Sequence, residues 1–318
     1  MESMVISRIG ISRWRSRFVA AALGMWVAAG CGGGGGSDAP NTPEPPPPTG
    51  DSCSGGQTLL YVVSSIGVAT PVSATVVPGF DVDARVSGAS DSATCNQPDF
   101  TSPPPASTPG IDNQLGPLVA AFDFADDVSI IFDASIEDAS LLVLVRVENV
   151  QSTSDDDCVN VSFLKGIFPP SAFDPVIGPD GQLAPGQLFD IDSTFLASDG
   201  ATPLYRVEGA TITGGVLDTG LTRLTPIYDL NGTSLPITFN RLQVRLDGDR
   251  GRDGLIGGSF GVEEVAAVIG PGLGALEPFV IPALHSKADL AQDGSGVCQE
   301  LSAGLTFSAV SAVAGEVR

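Results

Sequence analysis

Ser140-Leu141-Leu142-Val143-Leu144-Val145-Arg146-Val147-Glu148-Asn149-Val150 decides how this chain folds. An unbroken aliphatic run needs cover on both faces of a strand, while the alternation that begins at Arg146 has the two-residue period of a half-buried one. The segment is therefore expected to be a central strand. Working outward, β-rich runs bounded by Gly and Pro predict further strands at Leu59 to Ser65, Ala74 to Val77, Asp81 to Val86, Cys158 to Leu164, Leu188 to Phe195, Leu204 to Ile212, Val216 to Leu221, Ile237 to Leu246 and Leu301 to Val313. Apolar residues at helical spacing predict a helix over Asn113 to Phe124, capped by Asp112. Shorter helices are expected over Val128 to Ala139, Val262 to Ile269 and Phe279 to Leu290. With 39 Gly and 25 Pro the chain favours turns over long helices. The expected fold class is mainly β, a single β-sandwich-like domain with a few short helices over residues 53–318.

The first 30 residues read as an export signal. Arg8, Arg13, Arg15 and Arg17 precede an apolar stretch from Phe18 to Ala29, too short to span a bilayer, and Val27-Ala28-Ala29-Gly30-Cys31 has the small residues and the cysteine of a bacterial lipoprotein site. Ala28 stands where such signals more often carry Leu, so ordinary secretory cleavage is the alternative. Acylation of Cys31 makes the membrane a partner through the lipid anchor. Gly32, rather than Asp, after the cysteine favours the outer membrane. Residues 31–52, with five consecutive glycines and then Pro43 and Pro45 to Pro48, form a tether that holds the folded part away from the bilayer.

Cleavage after Gly30 removes four Arg and one Glu, leaving 11 basic against 36 acidic residues and a net charge of −25. A field of that sign repels phosphate backbones, so nucleic acid is not expected as a partner, whereas divalent cations are attracted. Cys53, Cys95, Cys158 and Cys298 form an even set in an oxidising compartment and imply two disulfides. Three pairings are open. Loop size favours Cys53 with Cys95 and Cys158 with Cys298. One histidine and no close cysteine pairs argue against zinc.

Three acidic stretches are candidates for Ca2+, the cofactor expected to rigidify the loops. Asp289 to Glu300 places Asp289, Asp293 and Glu300 at positions 1, 5 and 12 of an EF-hand-type loop, with Gly294 at 6 and Ala291 where a carboxylate belongs. Asp247, Asp249 and Asp253 share a glycine-rich loop with two arginines that could neutralise them. Asp81 and Asp83 would lie on one face of a strand, joined by Asp112 and Asn113 if the fold brings them together.

Gly257-Gly258-Ser259-Phe260-Gly261 matches the G-x-S-x-G nucleophile elbow. Its serine needs a histidine as base, and His285, 26 residues on, leaves little room for the strands and acid of an α/β-hydrolase. A secreted serine hydrolase or esterase using Ser259 and His285 is thus the alternative to a binding domain. Trp14 and Trp26 both lie in the signal, so the exported domain lacks the usual stacking surface for sugars.

Gly79-Phe80-Asp81-Val82-Asp83, Pro98-Asp99-Phe100-Thr101-Ser102-Pro103 and Gly110-Ile111-Asp112-Asn113-Gln114-Leu115, followed by Glu137-Asp138-Ala139-Ser140-Leu141, Gly214-Gly215-Val216-Leu217-Asp218 and Leu255-Ile256-Gly257-Gly258, carry a resemblance. Over residues 79–315 the chain resembles a family of exported proteins, many of them lipoproteins of myxobacteria and relatives. Ala84 and Ala139 stand where that pattern has Gly, and Pro104-Pro105 interrupts a loop. The resemblance implies export and one domain, and transfers no catalytic residue. The expected function is a cell-envelope lipoprotein with a non-enzymatic binding or structural surface domain, its partner an unidentified envelope or extracellular component.

Overall fold

Val143–Val150 forms a strand paired with Gln57–Val68 on one side and Asp156–Ile167 on the other, as the aliphatic run demands. The computed structural model describes residues 53–318 except 124, 171–174, 180, 231–232, 247–251 and 274–276; the signal, Cys31, the tether, Asp247 and Asp249 lie outside the described residues. In chain order the elements are β1 (Gln57–Val68), β2 (Phe100–Thr101), β3 (Pro109–Ile111), α1 (Leu115–Ala121), α2 (Ala125–Glu137), β4 (Val143–Val150), β5 (Asp156–Ile167), β6 (Gln187–Ile191), β7 (Tyr205–Thr213) and β8 (Val216–Asp218). They continue with β9 (Ile227–Leu230), β10 (Thr233–Pro236), β11 (Thr238–Arg245), β12 (Arg252–Gly261), α3 (Val262–Leu273), α4 (Glu277–Lys287), β13 (Leu290–Gln292) and β14 (Cys298–Val317). The protein is mainly β with few short helices.

Eight strands pair antiparallel in a closed cycle, β1-β4-β5-β7-β8-β11-β12-β14 and back to β1. β6 fills the gap where β14 leaves β1, pairing parallel with β14 and antiparallel with β5. The cycle makes a barrel-like closed sheet, where the sequence reading expected a sandwich. Alternation specifies one buried face in either architecture, so it does not distinguish them. Residues such as Val145, Phe163, Leu242, Ile256 and Leu305 point inward and are buried. The Phe163 and Phe239 rings meet at 5.0 Å from strands that are not neighbours in the sheet, as expected of an eight-strand barrel filled by its own side chains.

The outward face differs around the ring. On β11, β12 and β14 it carries Thr238, Gly257, Ser259, Ser302 and Gly304, and the stretches around residues 77–83 and 110–114 pack over it. A Cβ at Gly257 would lie 2.7 Å from the Phe80 ring, and one at Gly304 would lie 2.7 Å from both Asn113 Nδ2 and the Pro78 carbonyl. Only glycine allows that approach. On β4, β5 and β7 the same face carries Arg146, Glu148, Asn160, Ser162 and Arg206.

Several expectations need correction. The disulfides are Cys53–Cys158 and Cys95–Cys298, with Cα atoms 5.4 and 6.1 Å apart, because the start of β1 reaches the start of β5 across β4 while residue 95 packs at the start of β14. Loop size carries no information about which strand ends meet. Ala74 to Val77 makes only isolated bridges, and Asp81 to Val86 is bent rather than extended. There the aspartate side chains take the backbone N–H groups that a strand would give to a neighbour. Gln114, not Asp112, is the N-cap of α1, and the Asn113 side-chain Oδ1 accepts from the Gly116 N–H instead.

Candidate functional site

The packed-over face of the barrel holds a cluster of carboxylates. Asp112 follows β3, and its N–H donates to the Phe80 carbonyl at 2.9 Å, which sets the 110–114 stretch alongside residues 80–83. Its Oδ2 accepts from Val82 N–H at 2.7 Å and Asp83 N–H at 3.4 Å. Arg85 N–H donates to Asp81 Oδ1 at 3.1 Å and to Asp83 Oδ1 at 2.9 Å. Carboxylate oxygens of Asp81, Asp83 and Asp112 consequently lie within 4.8 Å of one another. Asp99 stands close enough for its charge to act on Asp112, and its Oδ2 accepts from the Ser87 N–H.

Beneath the cluster the side chains are fixed. Asn113, fully buried, donates to the carbonyls of Ala69 at 2.9 Å and Pro78 at 2.8 Å. Ser302 on β14 accepts from Gln114 N–H at 3.0 Å and donates to Asp289. Burial, then the charges of Asp83, Asp99 and Asp289, pushes Asp112 up to about 9 against the opposing Val82 N–H. Burial likewise raises Asp83 and Asp99, and takes Asp289 to about 7 despite its hydrogen bonds from Ser302. Among the described residues no Lys or Arg lies within ion-pair distance of Asp81, Asp83, Asp99 or Asp112. Arg85 pairs with Asp91 at 3.5 Å, and Arg241, stacked over the Phe80 ring at 5.1 Å, pairs with Asp218. Arg85 and Arg241 act on Asp83 and Asp81 only at longer range. A set of hard oxygens without a direct ion pair suits a divalent cation that takes carboxylate and hydroxyl ligands, and calcium is such an ion.

The other sequence candidates do not assemble. Asp289 faces inward to Ser302, Asp293 accepts from the N–H groups of Ser295 at 2.8 Å and Val297 at 3.0 Å within its own turn, and Glu300 holds Ser259 at 2.6 Å and Arg223 at 3.0 Å. Each carboxylate of the EF-hand-like stretch is thus committed to a different partner. Asp253, on β12, lines with Asp133, Ser129 and Thr306 a cavity of about 500 Å³ beside α2. Ser259 sits within regular β12, opposite Ser302, almost fully buried, and its hydroxyl donates to Glu300 rather than to a histidine. His285 Nε2, half-exposed on α4, lies 3.4 Å from Glu263. An elbow serine must be exposed on a strained turn with its base in reach, so the Ser259 and His285 arrangement lacks both requirements.

Sequence reasoning missed Asp99 as a member of the cluster, although Pro98-Asp99-Phe100 stands among the family-like motifs. It also missed the polar group on β4, β5 and β7, for which the only signal was Arg146 and Glu148 in the alternating half of the central strand. Comparison of the chain with protein families, curated proteins and solved structures finds no match in any of the three.

Proposed function

We propose that the chain is an exported, lipid-anchored domain of the cell envelope, non-enzymatic, whose disulfide-bonded barrel presents a binding or scaffolding surface and whose packed-over face is fastened by calcium at Asp81, Asp83, Asp99 and Asp112. The observation that carries the calcium reading is the convergence of three carboxylates, from stretches 30 residues apart, with no Lys or Arg among the described residues in ion-pair contact with them. Buried charge is costly unless paired, so Asp112, buried at the centre of the group, holds either a proton or a metal ion. A second observation supports the metal. Ser87, whose N–H binds Asp99, is 7% exposed and has a buried Oγ with no hydrogen-bond partner. Export and anchoring rest on the arginine-rich signal and Cys31, the two disulfides fit an oxidising compartment, and the resemblance to myxobacterial lipoproteins points the same way.

Thermal unfolding of the purified oxidised protein, with calcium and with magnesium as control, tests this. Calcium at 100 times its dissociation constant adds about 2.7 kcal/mol, several degrees in Tm. Asp83→Asn should abolish the shift and Asp293→Asn should leave it. An unchanged Tm in the native protein, or a shift that survives Asp83→Asn, overturns the calcium site.

A further inference from the structure

Beyond Val62 the first strand parts from β4, and α2 lies against it instead. The change of partner leaves a cavity of about 500 Å³, within the size range of small-molecule sites. Its floor is the outward face of three adjacent strands. Ser65 and Gly67 on β1 pair with Ser308 and Thr306 on β14, and Ser308 pairs in turn with Asp253 on β12. Ser129 and Asp133 of α2 form a wall. Gly67 keeps the floor low, since a Cβ there would lie 3.2 Å from Thr306 Oγ1 and 3.4 Å from Ser129 Oγ. Asp133, Asp253 and Thr306 are exposed and the other hydroxyls half-buried, so the cavity is open to solvent.

The polar side chains that line it are carboxylates and hydroxyls. Among the described residues no Lys, Arg or His lines it or is ion-paired with Asp133 or Asp253. Partial burial, then the charge of Glu137 one turn along α2, raises Asp133 against the Ile66 backbone beside it, as expected of a carboxylate with no cation to offset it. We propose that this cavity binds an aliphatic diamine, one ammonium group at Asp133 and the other at Asp253. Strands lie about 4.8 Å apart, so β12 is about 10 Å from β1, against which α2 packs. A four-carbon diamine spans about 6 Å between its nitrogens and needs about 2.8 Å more at each end for a charge-assisted hydrogen bond, which fits that width. Each ammonium carries three donors and no acceptor; a carboxylate takes one, and the hydroxyls of Ser129, Thr306 and Ser308 take others. An anion finds no cationic partner here. A single metal ion would need its carboxylate oxygens within about 5 Å of one another, and the set of three that meets this among the described residues is Asp81, Asp83 and Asp112. The amine site therefore does not rest on calcium.

Isothermal titration of the oxidised protein in EDTA and about 0.15 M salt, which screens long-range attraction, tests the proposal with 1,4-diaminobutane, 1-aminobutane and butane-1,4-diol. The diamine should bind at one site, the monoamine about fivefold to tenfold more weakly, and the diol not at all. Asp133→Asn and Asp253→Asn should each weaken the diamine by about the same factor, between the worth of an exposed ion pair and that of a charge-assisted hydrogen bond. Both carboxylates are exposed, so neither variant endangers the fold. Asp293→Asn, which alters an equally exposed carboxylate in another turn, should leave diamine binding as it was. Asp83→Asn should also leave it intact even where it removes the calcium response, so the two sites fail or stand separately. No binding of the diamine, equal binding of the monoamine, or no loss in both cavity variants overturns the site. An equal loss in Asp293→Asn does so too, because it would reduce the binding to general attraction by an acidic surface.

Discussion

Ser302 and Ser162 are both fully buried serines on the outward face of one barrel, yet they stand in opposite circumstances. Ser302 accepts from Gln114 N–H and donates to Asp289, which also accepts from the Ser302 N–H. Ser162 has a hydroxyl with no partner, beside an asparagine in the same state. On the first side Gly257 and Gly304 admit a second backbone close to the sheet, and that backbone supplies hydrogen bonds to the side chains it buries. On the second side long charged side chains flank the polar groups without satisfying them. Burial alone therefore says nothing about the sign of a polar residue's contribution; the partner supplied by the approaching segment decides it.

Each side has its own disulfide, and the largest expected effect comes from cutting the one that fastens the packed-over stretch to β14. Cys95→Ala with Cys298→Ala opens a 203-residue separation and should cost about 5 kcal/mol by the loop-entropy relation. The calcium response should weaken with it, because Asp99 lies in the stretch that this bond ties down. Loss of Cys53–Cys158 is nearly as large in stability but should spare the calcium response. Equal effects of the two on calcium would dissolve the distinction between the sides.

Next in size is Asn113→Ala. It leaves two carbonyls and the Gly116 N–H without their partner in a fully buried place, a loss of about 4 kcal/mol by denaturant titration. A loss below 1 kcal/mol would mean that the stretch is not seated on Gly304 in solution.

Much of this difference was legible in outline. The central strand, most of the strands around it and the three longer helices follow from periodicity, whereas Ala84 and Ala139 take φ of 59° and 67°, which no periodicity marks. A side chain in that region is strained by about 1 kcal/mol. Closure was not legible, because the pairing of β1 with β14 joins the two ends of the described chain, and alternation is the same in an open sheet. The extent of β12 was not legible either, because Gly257-Gly258-Ser259 reads as a nucleophile elbow or as Gly-rich strand packing until the packing over it is known. Asp81 and Asp83 were expected together on a strand face; they meet because their side chains replace the strand's hydrogen bonds.

The carboxylate side should also impose a pH dependence. Burial raises Asp289 from 3.8 to about 7, opposed by Ser302 and reinforced by Asp83, with Asp112 facing it. A carboxyl whose folded value is raised stabilises most below its unfolded value, and that contribution is lost as pH rises through the folded value. Between pH 5 and 8, in EDTA, Asp289 should therefore take away roughly 3 kcal/mol of stability. Asp289→Asn should flatten that part of the curve. A stability that rises over the same window in the native protein and not in the variant would show Asp289 charged and paired.

The smallest effect gives the sharpest test, because its sign differs between the two sides. Ser302→Ala removes the acceptor of Gln114 N–H and one donor to Asp289, both buried, and should cost about 2 kcal/mol. Ser162→Ala removes a hydroxyl that has no partner and leaves a side chain of nearly the same shape, so the folded protein should be unchanged or up to about 1 kcal/mol more stable. The two substitutions are chemically identical, equally buried and on strands of one sheet, so differences in helix or strand propensity and in unfolded-chain solvation cancel between them. What is left is the partner. If Ser162→Ala proved as costly as Ser302→Ala, the Ser162 hydroxyl would have a satisfied hydrogen bond in solution, and the contrast between the two sides would vanish.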